Sequence, residues 1–380
     1  MKVFHHILCI LILIAFAGCS SSTSSDPEPE PNPDPPPVEN ESYTAEDATA
    51  AFEAFNEYFY NEGKKLYYST TAQSELAVGW PQAAFWHIIM DAYQRTENED
   101  YYAMIEDIYE GGKYTYSQFR WEAVKNVNGW IYDDMMWWII AMARAHQITG
   151  EQKYLDDAIA GFDFVWEEAY DPEDGGMIWS WKAQGKVAAI NYPTVIGAMR
   201  LYHITGEEHY LDKAKEIYDW ARDNLFQEES GRVADHKVGD DPPGFEDYTY
   251  NQGTAIGAAV MLYKETGKQY YLDDAIAAAD YTKNEMSNEK GILPAEGDWN
   301  EQGVLKAIFV RYMDMLIEDA GQEQYLPWLQ KNANTAWQNR DKSRNLMFRD
   351  YDIPCPTGEI QSYEASSAVG FMQVIPPPSE

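Results

Sequence analysis

The sequence predicts an all-α fold, a closed (α/α)6 toroid of six helical hairpins, and three observations carry that expectation. From about residue 46 onward, apolar residues recur at spacings of three and four, with no sustained strand alternation. A Thr-Gly turn repeats: TGEQKYLDDA begins at Thr149, TGEEHYLDKA at Thr205 and TGKQYYLDDA at Thr266, with weaker copies TENEDYYAMI at Thr96 and AGQEQYLPWL at Ala320. The steps between copies are 53, 56, 61 and 54 residues, the signature of a repeated supersecondary unit. Helices read from the periodicity fall at 46–61, 80–95, 99–110, 130–147, 153–169, 191–204, 208–225, 251–265, 269–285, 302–318, 323–338 and 361–374. That even count, with no polar capping repeat at the C-terminus, favours closure of the last helix on the first over an open solenoid.

Each copy has a local logic. Gly ends the preceding helix in a left-handed cap, a short polar loop follows, and Tyr-Leu opens the next helix and packs back on its neighbour. Helices before the turns (MMWWIIAMARAHQI, YPTVIGAMRLYHI, TAIGAAVMLYKE) are rich in Gly, Ala and large apolar residues and are expected to be inner. Those after the turns carry more charge and are expected to be outer. All inner helices then start on one rim, where the long Gly-, Pro- and Asp-rich connections 171–190 and 227–249 also lie, and that rim is the expected site. His87, His146, His203 and His209 sit on helices without a partner at metal-ligand spacing and read as structural.

The N-terminus reads differently. Lys2, an apolar run from Ile7 to Phe16, and Ala17-Gly18-Cys19 form a signal peptide over residues 1–18. Small residues before Cys19 resemble a bacterial lipobox, with Phe16 in place of the usual Leu. Cys19 is the expected lipidation site, the alternative being a plain secretory signal. Residues 19–45, mostly Ser, Pro and acid, are expected to be an extended tether, and 46–380 the folded domain. The expected location is the outer membrane, as a lipoprotein facing the cell surface or the periplasm and held by its lipid alone. Once the signal leaves with Cys9, Cys355 is the one cysteine left in the domain, so no internal disulfide is expected.

The chain has 28 Lys and Arg against 63 Asp and Glu, a net charge of −35. That balance excludes nucleic acid and other polyanions as partners and suits a neutral ligand. With 13 Trp and 28 Tyr, aromatic faces are available for sugar rings, although core packing accounts for most of them.

One stretch, NGWIYDDMMWW, places Asp133 and Asp134 side by side among aromatics near the start of an inner helix. The other Asp pairs serve as controls. Asp156–Asp157 and Asp273–Asp274 read as first-turn acids of outer helices, and Asp240–Asp241 precedes Pro242 in a loop. Two carboxylates are what glycoside hydrolysis requires, one to protonate the leaving oxygen and one to attack or to activate water. Neighbouring positions on a helix diverge by about 100°, so the two groups can flank one bond. Like charge and partial desolvation push one pKa up. The alternative is a capping Asp with a solvated neighbour.

GWIYDDMMWW, followed by YTYNQGTAIGA and GILPAEG…LKAIFVRYM, resembles glycoside hydrolase family 76, the α-1,6-mannanases, over about residues 46 to 375. The resemblance implies an (α/α)6 barrel, retention of configuration, no cofactor and no metal, with Asp133 as nucleophile and Asp134 as acid/base. Where the pattern has Phe-Lys-Gly, this chain has Leu305-Lys306-Ala307. Further rim candidates for substrate binding are Trp130, Tyr132, Trp137, Asn191, Tyr192, Asp235, Tyr250, Asn251 and Gln252. Capping or loop-anchoring roles are the alternative for the polar ones. The expected partner is α-mannan or a manno-oligosaccharide, met by a monomer cutting internally. Two other readings stand beside it: a transglycosidase using the same pair, and a non-catalytic glycan-binding lipoprotein.

Overall fold

The computed structural model describes residues 42–182 and 185–378. The signal, Cys19 and nearly all of the tether lie outside these residues. The folded unit starts at Tyr43, three residues ahead of the boundary expected from sequence. Tyr43 is buried, and its hydroxyl donates to the Ile375 carbonyl at 2.7 Å. Thr44 then caps the first helix, its hydroxyl accepting from the Asp47 N–H at 3.1 Å.

Thirteen α-helices follow among the described residues: α1 Ala45–Phe59, α2 Gly79–Thr96, α3 Glu99–Thr115, a single turn α4 Trp121–Ala123, α5 Tyr132–Thr149, α6 Gln152–Ala169, α7 Ala188–Thr205, α8 Glu208–Leu225, α9 Thr249–Thr266, α10 Gln269–Tyr281, α11 Leu305–Ala320, α12 Leu326–Gln338 and α13 Ser362–Val374. The twelve longer ones are those expected from the sequence. Helices α2, α5, α7, α9, α11 and α13 pack side by side in that order, and α13 closes on α2. They are the inner ring of the (α/α)6 barrel. Helices α3, α6, α8 and α10 each pack behind the inner helix that precedes them, and α1 packs behind α13.

Composition explains the layering. The inner helices are buried almost all round, and α13 is buried at every position from Ser362 to Gln373. Small residues allow the close approach: a Cβ on Gly253 of α9 would lie 2.6 Å from the Phe309 Cα of α11. Outer helices such as α8 bury one stripe, Tyr210, Leu211, Ala214, Ile217, Tyr218 and Ala221, as an amphipathic surface helix should.

The repeated Thr-Gly turn has a chemical reason. The Thr149, Thr205 and Thr266 hydroxyls each donate to the carbonyl four residues back, at 2.7–2.8 Å, and accept the N–H two residues on, at 3.2–3.3 Å. The following glycines take the left-handed cap at φ 72°, 72° and 69°. In the weaker copy Glu97 takes the same conformation at φ 54°, at the steric cost Gly avoids. The Asp pairs of the repeat are not first-turn acids. The Tyr109 hydroxyl donates to Asp157 at 2.6 Å, and Tyr218 and Arg222 donate to Asp274 at 2.9 and 2.6 Å. Each therefore latches one outer helix to the previous one.

Long connections gather at the N-terminal rim of the inner ring. Three two-residue antiparallel ribbons stiffen them: β1 Tyr60–Asn61 with β2 Leu66–Tyr67, β3 Lys186–Val187 with β6 His236–Lys237, and β4 Phe226–Gln227 with β5 Arg232–Val233. The β3–β6 pair ties two long loops together. At the other end of the barrel, Asp91 of α2 accepts from Arg144 of α5 at 2.5 Å and from Arg311 of α11 at 2.7 Å, with its side chain 1% exposed. His87 lies against Arg144 there, a structural place. Cys355 is free and buried. No described helix is long and apolar enough to cross a membrane.

Removing one partner of a buried ion pair leaves an uncompensated charge. Asp91→Asn should therefore cost roughly 3–5 kcal/mol of stability, read from urea unfolding; an unchanged midpoint would contradict the bridging role.

Candidate active site

Helix α5 starts where Gly129, at φ 75°, turns the chain and Ile131 takes an extended conformation. Asp134 faces back over this start, and its Oδ2 accepts the Ile131 N–H at 3.1 Å. Asp133 lies one position earlier. Its Oδ1 accepts the Asp134 N–H at 2.9 Å, and its Oδ2 accepts the Trp179 indole N–H at 2.9 Å. Trp179 comes from the loop before α7, and its carbonyl accepts the Tyr132 N–H at 3.3 Å. Both carboxyls open into a cleft of about 670 Å³. Its walls are Val78, Gly79 and Trp80 at the start of α2, Trp130 and Trp137, Trp179, Tyr248 and Tyr250 at the start of α9, Glu301 and Gln302 ahead of α11, and Leu305 at its first position. A second pocket of about 300 Å³ shares Asp133, Trp179 and Tyr250 and continues to Asp235 and His236.

The electrostatics follow from the walls. Burial pushes the Asp133 carboxyl well above the usual range, and the Asp134 carboxylate adds to this. The two donors on Asp133 work in the opposite direction. Burial also lifts Asp134, to about 6, against the pull of the Ile131 N–H and with a further push from Glu301. The expected rise of one carboxyl thus extends to both. Both are raised because the same aromatic walls desolvate both, and they titrate as a pair.

The structure sorts the remaining sequence candidates. Trp137 lies on the cleft floor between Trp80 and Tyr250, both at 6.2 Å between ring centroids. Trp130 lines the cleft but is 6% exposed and packs on Tyr116 at 4.5 Å. Tyr132 turns away from the cleft, its hydroxyl directed to Glu168 at 3.3 Å. Tyr192 is core, edge-on to Tyr218. Asn191 is fully buried and clamps the loop carrying Trp179: its Oδ1 accepts the Met177 N–H at 2.8 Å and its Nδ2 donates to Val187 O at 2.9 Å. Gln252 does the same for the next loop, accepting from Val233 N–H at 2.6 Å and donating to Gly231 O at 3.0 Å. Neither amide reaches the cleft. Asn251 Nδ2 donates to Asp235 Oδ1 at 3.1 Å and so positions the acid of the second pocket. Lys306, in the segment departing from the family pattern, is buried and donates to Pro294 O and Arg349 O, both at 2.7 Å. Among the described residues no cluster of His, Cys, Asp and Glu is placed to hold a metal ion.

Sequence reasoning did not single out Trp179, Trp80, Tyr248, Glu301 or Gln302. The signal available for Trp179 was its place in a long rim loop; nothing local told it apart from Trp181 two residues on.

The chain is similar to the GH76A α-1,6-mannanase of Salegentibacter sp. HEL1_6, at 28% identity, covering 87% of this chain and 98% of that one with a TM-score of 0.79. An inactive variant of that protein, substituted at two consecutive aspartates, is known in complex with α-1,6-mannotetrose and matches equally well. A family 76 mannosidase of Bacteroides thetaiotaomicron, 22% identical over 87% of this chain and 96% of its own, shares the fold with a TM-score of 0.73. A putative mannan endo-1,6-α-mannosidase of Schizosaccharomyces pombe is 23% identical over 304 residues, 72% of this chain and 67% of that protein. The family model for glycosyl hydrolase family 76 matches residues 43–374, nearly all of the described unit, and the chain belongs to that family.

Proposed function

We propose that the protein is a retaining glycoside hydrolase that cleaves α-1,6-mannosidic bonds within mannan backbones, with Asp133 as nucleophile and Asp134 as acid/base. The carrying observation is the pair itself: two adjacent carboxyls with raised pKa, held by an indole and backbone N–H groups at a helix start in an aromatic cleft. The similar Salegentibacter enzyme loses activity when two consecutive aspartates are replaced, and binds an α-1,6-linked tetrasaccharide. Neighbouring positions on one helix turn favour the separation of about 5–5.5 Å that retention uses, over the roughly 6.5–9.5 Å that admits a water.

In this reading Asp133 attacks the anomeric carbon. Its two donors and the helix N-terminus favour the charged form and oppose the burial that raises both carboxyls, and in the attacking state the proton that the pair retains is on Asp134. Asp134 gives its proton to the departing glycosidic oxygen. It then takes a proton from the water that cleaves the glycosyl–Asp133 ester, returning both groups to their starting state. Trp80, Trp137 and Tyr250 offer faces to sugar rings. Continuation of the cleft past Asp133 toward Asp235 leaves space on both sides of the pair, as internal cleavage needs. Transglycosylation would use the same pair, with a sugar hydroxyl in place of water. A purely binding role has no use for it.

Asp133→Asn should abolish turnover on every substrate. Asp134→Asn should retain the first step on an aryl glycoside with an activated leaving group, and azide should partly restore the second. Proton NMR of the first product decides the stereochemistry, an initial β-anomer overturning the assignment. The active pair carries one proton. kcat/KM should therefore rise with pH as the doubly protonated pair loses its first proton and fall at higher pH when the remaining one is lost, both steps lying above the range of a free aspartate and belonging to the pair rather than to either residue. A profile flat through that range would speak against the pair.

We also propose that the N-terminus anchors the protein, with residues 1–18 removed, Cys19 lipidated and the acidic tether holding the domain off an outer membrane. Cys19→Ala should release a soluble, fully active enzyme into the aqueous fraction. Retention in the membrane fraction would rule the lipid anchor out.

A further inference from the structure

We propose that Trp299 is a sugar-stacking platform outside the catalytic cleft, which binds a hexopyranose unit of a long α-mannan chain and sets the preference for polymer over short oligosaccharides. The inference rests on the proposed function and adds to it a residue that lines neither pocket.

Trp299 is 54% exposed, the most exposed tryptophan among the described residues. Its backbone stands at φ 59°, a left-handed conformation that a bulky residue adopts at a cost and keeps only where its surroundings impose it. Those surroundings are built for rigidity. Gly297, at φ 76°, lies so close to the returning chain that a Cβ would come 2.5 Å from the Gly303 nitrogen. The Trp299 N–H donates to Glu364 at the start of α13. Arg349 bonds Asp298 at 3.0 Å and pairs with Glu364 at 3.3 Å, while Lys306 fixes the Pro294 and Arg349 carbonyls beneath. A rigid, strained loop thus presents an indole to solvent, and among the described residues no ring or cation covers it. Trp181, the other exposed rim indole, differs: Tyr132, Lys125 and Lys182 pack against it.

Position links the platform to the substrate path. Asn300 caps the turn that carries Glu301 and Gln302 into the cleft. Gly303 abuts the Tyr363 and Glu364 backbone, and the Tyr363 hydroxyl accepts the N–H of Val78, on the same cleft wall. Trp299 stands two residues ahead of Glu301, on the connection that forms the Glu301 side of the cleft. A flat indole face and an axial C–H face of a pyranose are complementary in the way aromatic faces generally meet apolar surfaces. Strain held at an exposed aromatic is what a binding role explains and a packing role does not.

The test uses the full-length chain with unbranched α-1,6-mannan and with α-1,6-mannotriose. Trp299→Ala should raise KM on the polymer about five- to tenfold, the order expected for one lost aromatic contact. It should leave kcat on the polymer and both constants on the triose unchanged, and Trp299→Phe should restore most of the loss. Trp299→Gly should show the same polymer defect with a thermal midpoint equal to or above the parent's, because the strain is relieved. A parent enzyme that cleaves mannan while Trp299→Ala matches it on both substrates overturns the platform alone. Equal loss on polymer and triose overturns it too, pointing to a structural role. A parent enzyme that neither binds nor cleaves α-mannan overturns the proposed function and the platform together.

Discussion

The Asp91 carboxylate, held by Arg144 and Arg311, is the interaction on which the rest of the architecture leans. It joins three inner helices, α2, α5 and α11, at the end of the barrel away from the cleft. A buried carboxylate tolerates little displacement from its cations, since each lost bond exposes an unpaired charge to a low dielectric. The three helices are therefore fixed in axial register. Asp91 and Arg144 each stand twelve residues after the start of their helix, so α2 and α5 reach the opposite rim at matching height, while Arg311 stands six residues into α11, which the 3-10 turn Glu301–Val304 prolongs toward that rim. That level rim is what lets Gly79, Asp133 and Leu305 share one cleft.

The rim loops need a second device, because long connections are otherwise the least ordered part of a domain. Buried amides supply it. Gln82 accepts from and donates to the Tyr67 backbone, both at 2.9 Å. Asn191 treats Met177 in the same way, Gln252 spans Val233 and Gly231, and Asn332 spans Leu293 and Gly291. Each amide matches one N–H and one carbonyl of a returning loop and so substitutes for a missing strand partner. The Trp179 indole that donates to Asp133 owes its position to such a clamp, as does the neighbourhood of Asp235.

At the site, opposed electrostatic effects are balanced. Helix starts and directed N–H groups favour anionic carboxylates, whereas the aromatic walls and mutual repulsion favour protonated ones. The result is a pair that keeps a proton well above the range of free aspartate, which is the condition a single pair needs to act as nucleophile and acid in one turnover.

The sequence by itself determined the helical class, the repeat, the inner and outer layers and the Asp133–Asp134 pair. Those features rest on local periodicity, on the Thr-Gly cap and on the contrast of two acids with their immediate neighbours, all contained within a few turns of chain. It misassigned Asn191, Tyr192 and Gln252, which share the rim with the cleft but face loops and core. Rotation about a helix axis cannot be read where every face is apolar, as on α7 and α9. Trp179, Trp80, Glu301 and the exposed Trp299 were decided by tertiary structure alone. They come from three separate segments, Trp299 and Glu301 sharing the connection before α11, and their roles depend on distances between segments up to about 220 residues apart in a chain whose loops carry no periodic signal.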